Sequence, residues 1–298
     1  MLWITDDDRP EASYRYAVSA VLHRSKSEHQ DITIVDTPAF GKALLLDDNW
    51  QSCVADEFLY HEPLAHPALI LHENPKRVAI LGGGEGATLR EVLRWRCVER
   101  VLMIDLDKEV VEACKRHLPE MHQGAFDDPR AEVQIRDATE WLENCTEKFD
   151  VVISDLSEPL EHGPAYRLFT QEYFEQVKRV LAAGGIFTLQ AGAVAPHEIE
   201  VFARVTNTVA AVFECVKPYV SAIPSFTTPW GFLVASQREL GDLPSVDAID
   251  DRLDAETTNQ LRMLDGEAFH GLFCTAAHVR NAIKNERVVY TLSNPPRI

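Results

Sequence analysis

A short apolar strand, Val78–Leu81, runs directly into Gly82-Gly83-Gly84-Glu85-Gly86 and then into a helical pattern from Ala87 to Trp95. Glycines at such a turn let backbone amides and the start of the next helix approach a ligand closely. The same strand opens a long alternation. Strands are expected at Arg100–Ile104, Ala131–Ile135, Phe149–Ile153 and Ile186–Gln190, with helices at Glu109–His117, Ala138–Cys145, Gln171–Leu181 and Pro196–Val212 between and after them. Segments near Val216–Val220 and Gly231–Ala235 complete the sheet. Strands separated by helices of about ten residues or more require right-handed crossovers, hence a parallel, doubly wound α/β sheet.

The residues ahead of this alternation read differently. Asp31-Ile32-Thr33-Ile34-Val35 alternates polar and apolar, Pro38 and Gly41 mark a turn, and Lys42–Leu46 forms a second strand. This β-rich piece is too small to stand alone, so it is expected to pack on the larger domain. The chain divides into a small N-terminal domain, residues 1–66, and a Rossmann-like domain, residues 67–298. The end, Glu286 to Ile298, reads as an extended arm.

Three strand ends in a row carry polar groups suited to an adenosine. The glycine loop follows the first strand, Asp105 ends the second where a carboxylate meets a ribose diol, and Asp137 follows the third, placed to accept an adenine amino group. A dinucleotide loop would need glycine at Ala87 or Leu89, and no phosphate-binding lysine follows the loop. An S-adenosyl ligand, which lacks a pyrophosphate, fits better. Glu85 narrows the choice further. It would repel the amino-acid carboxylate of a methyltransferase cofactor and attract the ammonium of the decarboxylated form; like charges at about 4 Å cost roughly 4 kcal/mol at an intermediate dielectric.

The fourth strand ends in Ser154-Asp155-Leu156-Ser157-Glu158-Pro159, at the sheet edge where such folds bind ligands. Asp155 and Glu158 suit a diamine or triamine. An alkylamine with a pKa near 10.4 must lose a proton before its nitrogen attacks carbon. Asp155 can accept that proton, with the Tyr60 hydroxyl as a second polar contact and Glu158 holding a neighbouring ammonium. No activated serine or cysteine is required.

Composition sets the boundaries of this reading. The formal net charge of −18 disfavours nucleic acid and suits a cationic substrate. No run approaches the roughly 18 apolar residues of a membrane helix, and the first residues lack the pattern of a signal peptide. Six scattered cysteines without a CxxC pair favour reduced thiols and a cytoplasmic protein. His61-Glu62-Pro63-Leu64-Ala65-His66 spaces its histidines five apart with a proline between them, so no metal site is expected there.

Taken together, His29-Gln30-Asp31, Gly41-Lys42-Ala43-Leu44, Asp56-Glu57-Phe58, Tyr60-His61-Glu62, the Gly82–Gly86 loop with Leu89-Arg90-Glu91-Val92, Asp127-Asp128-Pro129-Arg130 and the Asp155 segment resemble the spermidine synthase family of polyamine aminopropyltransferases. The resemblance covers almost the whole chain. It implies a class I methyltransferase-type Rossmann-like sheet behind a small β domain, and a dimer or tetramer of identical chains without metal. It implies decarboxylated S-adenosylmethionine as co-substrate and methylthioadenosine as product. Cofactor contacts are implied at Gln30, Gln51, Gly82, Glu85, Asp105, Asp137 and Ala138, with Pro164 lining the thioadenosine pocket. Acceptor contacts are implied at Tyr60, His61, Asp155 and Glu158, with Asp155 as the acid/base.

Departures from the common family pattern bear on the acceptor. Glu158 stands where an Asp is usual, the loop Leu160–Tyr166 is longer, and Pro224-Ser225-Phe226 replaces a Pro-Thr-Tyr segment, so Phe226 lacks a hydroxyl for a diamine end. With Gly163-Pro164-Ala165-Tyr166 and Gln190-Ala191-Gly192, these features are similar to the thermospermine synthase branch, although Glu158 departs from that branch too. Spermidine is the expected acceptor, with putrescine (spermidine synthase) and a spermine synthase as alternatives. A methyltransferase and a non-catalytic polyamine-binding protein are the readings from other classes.

Overall fold

The computed structural model describes residues 2–9, 12–157 and 164–296. The N-terminal part is all β. A hairpin, β1 (Leu2–Arg9) with β2 (Ala12–Val18), precedes an antiparallel meander of β3 (Ala20–Lys26), β4 (Asp31–Thr37), β5 (Gly41–Leu46) and β6 (Asn49–Cys53). Between β5 and β6 the chain reverses in two residues, Asp47 and Asp48, both at positive φ (51° and 64°), the geometry that matches strand twist in tight hairpins. Its inner strands β4 and β5 are buried on both faces, whereas β3 is largely exposed. Ile32, Ile34 and Leu44 pack against Val110, Ala113 and Cys114 of the main domain, while Val35, Ala43 and Leu45 pack with Tyr16 and Trp50. The expectation that this piece leans on the rest is thus met by its own apolar pattern.

Helix α1 (Phe58–His72) comes next and contains both Pro63 and Pro67. Residue 66, where the sequence pattern divides the chain, lies inside it. A proline within a helix removes the N–H that would pair with the carbonyl four residues earlier. Here those two carbonyls are satisfied from a distant strand: the Ser221 hydroxyl donates to the Leu59 carbonyl at 2.7 Å, and the Tyr219 hydroxyl to the Pro63 carbonyl at 2.9 Å. The helix therefore continues through both prolines. His61 and His66 are buried on it with separate partners.

The central sheet contains β7 (Arg77–Gly82), β8 (Arg100–Asp105), β9 (Ala131–Ile135), β10 (Phe149–Asp155), β11 (Leu181–Ala193), β12 (Cys215–Ala222) and β13 (Pro229–Ser236), in the order β12-β13-β11-β10-β7-β8-β9. Strands β7 to β11 pair in parallel, whereas β13 is inserted antiparallel between β11 and β12. The sheet is therefore mixed at one edge rather than wholly parallel, because β12 and β13 are joined by a short turn and not by a crossover helix. Helices α2 (Ala87–Leu93), α3 (Lys108–His117), α4 (Pro119–His122), α5 (Ala138–Asn144), α6 (Gln171–Val180) and α7 (Ile199–Ala210) flank it. Two large apolar cores, one on each face, hold the layers together.

Three further helices, α8 (Val246–Glu256), α9 (Gly266–Phe273) and α10 (Ala277–Asn285), come after β13. The last described residues run without helix and are pinned by Tyr290, which is buried; its N–H bonds Thr208 and its carbonyl accepts from the Gln171 N–H. Among the described residues no helix is long and apolar enough to cross a membrane.

Strand order reverses between β7 and β10, since the chain builds outward from β7 through β8 and β9 and then returns to β7's other side. In doubly wound sheets a ligand crevice opens at that point, beyond the carboxyl ends of the strands. Gly82 and Asp155 are register partners there.

Candidate active site

Gly82 is required by this junction. Its φ is +87°, and a Cβ would sit 2.1 Å from the Asp155 carbonyl oxygen, so any side chain would part the two strand ends. Gly83 then donates its N–H to the same carbonyl at 3.0 Å. At the end of the loop, Gly86 starts α2 with φ +82°, where a Cβ would strike the Phe126 ring at 2.6 Å. The loop thereby lies flat across the strand ends and floors a cleft of about 400 Å³.

Asp155, the last residue of β10, lines this cleft and is held by two hydroxyls. Tyr60, in the first turn of α1, donates to Oδ1 at 2.9 Å, and Thr88, in the first turn of α2, donates to Oδ2 at 2.6 Å. Burial pushes its pKa up, and the negative charge of Glu85 adds to this, to about 6; His61 and the two hydroxyls oppose the rise. The carboxyl is thus fixed in orientation and mostly ionised at neutral pH.

Glu85 also lines the cleft, and behind it stands a buried chain of charges. His61, without solvent exposure, places Nε2 3.0 Å from Glu85 Oε1 and Nδ1 2.9 Å from Glu57 Oε2. A ring with a carboxylate at each nitrogen donates from both and is therefore an imidazolium. Burial works against that charge, but the two acidic partners overcome it and lift the His61 pKa to about 10. Burial likewise opposes ionisation of Glu85, and His61 overcomes it, leaving Glu85 below the ordinary value. Glu57 accepts in turn from Arg90 Nη2 at 2.8 Å, and Arg90 Nε donates to Glu91 at 2.7 Å. Glu91 meets His66 Nε2 at 2.9 Å, and the Trp95 indole donates to His66 Nδ1 at 2.9 Å. Because Trp95 can only donate, Nδ1 is the acceptor and Nε2 carries the proton.

Two other expected cofactor positions are organised around helix starts. Asp105 closes β8 and accepts the Asp107 N–H at 2.8 Å; burial, reinforced by the charges of Asp107, Glu85 and Asp155, pushes it up to about 7. Asp107 caps α3 and, through Oδ2, takes bonds from Ser27 Oγ at 2.5 Å and Gln30 Nε2 at 3.1 Å, fixing Gln30 at the cleft wall. Asp137 caps α5 through Oδ1, with Ala138 beside it on the lining. Gln51 completes the polar wall, and Leu44, Leu46, Ile104 and Val110 supply apolar surface.

The remaining expected residues are placed differently. His61 sits behind Glu85 and is not part of the lining. Phe226 packs on Tyr60 at 5.8 Å and edge-on to Trp230 at 4.9 Å. Pro164 opens a short 3₁₀ helix, Pro164–Phe169, whose Arg167 and Leu168 line the cleft. Glu158 lies outside the described residues.

Sequence reasoning missed Thr88 and gave no role to Glu57, Arg90 and Gln190. Gln190 is buried; its Nε2 donates to the carbonyl of Leu156, next to Asp155, at 2.7 Å, while its Oε1 accepts from the Trp230 indole and the Gly192 N–H. A hydroxyl in the first turn after the glycine loop was the one available signal for Thr88. The other three stand in segments that carry the family resemblance, which marks them without showing what they bond.

Comparison with known proteins agrees with this fold. Residues 57–245 match the spermine/spermidine synthase domain, and residues 2–52 match the spermidine synthase tetramerisation domain. A polyamine aminopropyltransferase of Synechococcus sp. (strain JA-2-3B'a(2-13)) is 48% identical over 99% of this chain and 97% of its own. Thermospermine synthase ACAULIS5 of Arabidopsis thaliana is 39% identical over 98% of this chain and 86% of its own. The crystal structure of a spermidine synthase in complex with the transition-state analogue AdoDATO superposes with a TM-score of 0.88 at 28% identity, covering 96% of each chain. Fold, cleft and relatives define the class: this is an aminopropyltransferase of polyamine synthesis. The chain belongs to the spermine/spermidine synthase family.

Proposed function

We propose that the cleft binds decarboxylated S-adenosylmethionine and that the enzyme transfers its aminopropyl group to spermidine, as a thermospermine synthase does. Adenosine lies along the Asp105, Asp137 and Ala138 wall, with Gln30, Gln51 and Pro164 around it and the glycine loop beneath. The aminopropyl ammonium approaches Glu85. A neutral acceptor nitrogen attacks the methylene beside the sulfonium in line with the C–S bond. The new C–N bond forms as the C–S electrons return to sulfur, and methylthioadenosine leaves. Asp155 takes the proton from the acceptor nitrogen, Tyr60 orients it, and Glu158 holds a neighbouring ammonium of the acceptor, while His61 acts from behind by fixing Glu85.

One observation carries the reading: Asp155 is clamped between Tyr60 and Thr88, beside Glu85, at the sheet's switch point. A pKa of about 6 keeps this base ionised at pH 7 yet still able to hold a proton. Supporting spermidine over putrescine are the hydroxyl-free Phe226 and the similarity to the plant thermospermine synthase. Supporting a homo-oligomer, dimer or tetramer, is the match of residues 2–52 to a tetramerisation domain. Free thiols at all six cysteines suit a cytoplasmic enzyme.

Incubation with the decarboxylated donor and separate amines tests this. Methylthioadenosine release with spermidine and a 3-3-4 tetraamine product are expected. A 3-4-3 product, or turnover only with putrescine, would assign a spermine or spermidine synthase instead.

A further inference from the structure

Ser225 is the buried residue of a short turn, Pro224–Phe226, between β12 and β13, and three of its polar groups are held by the N-terminal part and by the segment joining it to α1. Its N–H donates to Asp56 Oδ2 at 2.7 Å and its hydroxyl to Asp56 Oδ1 at 2.9 Å. Its carbonyl accepts from the Tyr16 hydroxyl at 2.8 Å, across 209 residues of sequence. Both anchors are themselves fixed. Asp56 also takes the Cys53 thiol at 2.8 Å, and the Tyr16 ring, on β2, stacks on Trp50 at 4.2 Å. The next residue, Phe226, rests on Tyr60, and the Tyr60 hydroxyl reaches Asp155.

We propose that Tyr16 and Asp56 are positioning residues for the amine acceptor: by holding the Ser225 turn they set Phe226 against Tyr60, and so make the N-terminal hairpin a part of acceptor recognition. The inference rests on the reading that the amine meets Tyr60 and Asp155. The donor side has supports of its own in the glycine loop and in Asp105 and Asp107 with Ser27 and Gln30, although Gln51 of the donor wall stands on β6, which contacts this turn. Removing a turn anchor therefore moves the acceptor wall more than the donor wall. A buried carbonyl that loses its donor seeks another, and the turn shifts to provide it.

The test uses Tyr16→Phe, which removes one oxygen and keeps the stacked ring, and Asp56→Asn as a second variant. For each, the KM values of donor and acceptor, kcat and the thermal midpoint are measured on the full-length protein, well below the midpoint. The expected result is a rise of about tenfold in acceptor KM, a donor KM within about twofold of the parent, and a changed preference between spermidine and putrescine. A lowered midpoint with both KM values unchanged would reduce these residues to structural ties and overturn the proposal. A parallel rise in both KM values would overturn it as well. Failure of the functional reading shows separately, as no methylthioadenosine release by the parent enzyme with any amine.

Discussion

His61 Nε2 donates to Glu85 Oε1 at 3.0 Å, so the carboxylate that lines the cleft already has a cationic partner at its back. Glu57 shares the same imidazolium from the other side. The arrangement holds one positive charge between two carboxylates and leaves these three groups negative overall. Glu85 is therefore a fixed and partly neutralised acceptor for an ammonium, not a bare charge.

Such a paired carboxylate should give a moderate selectivity. Glu85→Gln is expected to lower the preference for decarboxylated over ordinary S-adenosylmethionine by about tenfold, or about 1.4 kcal/mol, less than an unpaired carboxylate would contribute. Dissociation constants for both ligands, measured by calorimetry on parent and variant, check it. An unchanged ratio would remove Glu85 from donor selection.

Donor binding is expected to depend on pH in a direction set by Asp155 and Asp105. Burial raises both, to about 6 and about 7, and neighbouring negative charges contribute. A sulfonium with an ammonium favours the ionised carboxylates, so binding expels protons below these values. Affinity for the decarboxylated donor should rise by about tenfold from pH 5.5 to 7.5, and that for uncharged methylthioadenosine should rise less. Equal pH profiles for the two ligands would contradict this.

The unbroken helix through Pro63 and Pro67 depends on two hydroxyls on β12. Tyr219→Phe leaves the Pro63 carbonyl without its donor and should cost about 1–3 kcal/mol, read by denaturant unfolding. Ser221→Ala should act similarly at Leu59. No loss of stability in either variant would show that these carbonyls find other partners.

These prolines also show where the sequence stops being legible. The glycine loop, Asp105, Asp155 and most sheet strands are readable because each rests on a local pattern: an apolar run, a turn, an acid at a strand end. Residues 58–72 are not, since the donors that rescue the helix lie more than 150 residues away. The roles of Thr88 and Gln190 are hidden for the same reason; they arise from contacts with Asp155 and Leu156 that only the closed sheet creates. The antiparallel insertion of β13 is likewise a pairing choice, made by a short β12–β13 turn and invisible to periodicity. Helices α8 to α10 lie beyond the strand–helix alternation that makes the sheet legible, and the sequence pattern assigns none of them.

Asp155 should be costly to the fold as well as useful to it. Its folded pKa, about 6, lies above the ordinary 3.8, so the folded state holds the proton more tightly than the unfolded chain. Stability is therefore greatest below the ordinary value and falls as pH rises through about 6. Asp155→Asn should raise the thermal midpoint at pH 7.5 and lose that advantage near pH 4. A lower midpoint at pH 7.5 would contradict the assignment of an unfavourable buried charge.

The role of Asp155 as the base that frees the attacking amine is tested most directly by methylthioadenosine release from Asp155→Asn with saturating donor and amine. Turnover should fall by about two to four orders of magnitude, with donor affinity retained within about tenfold. Near-normal turnover would contradict the account, because it would leave the reaction without need of the carboxylate that Tyr60 and Thr88 hold in place.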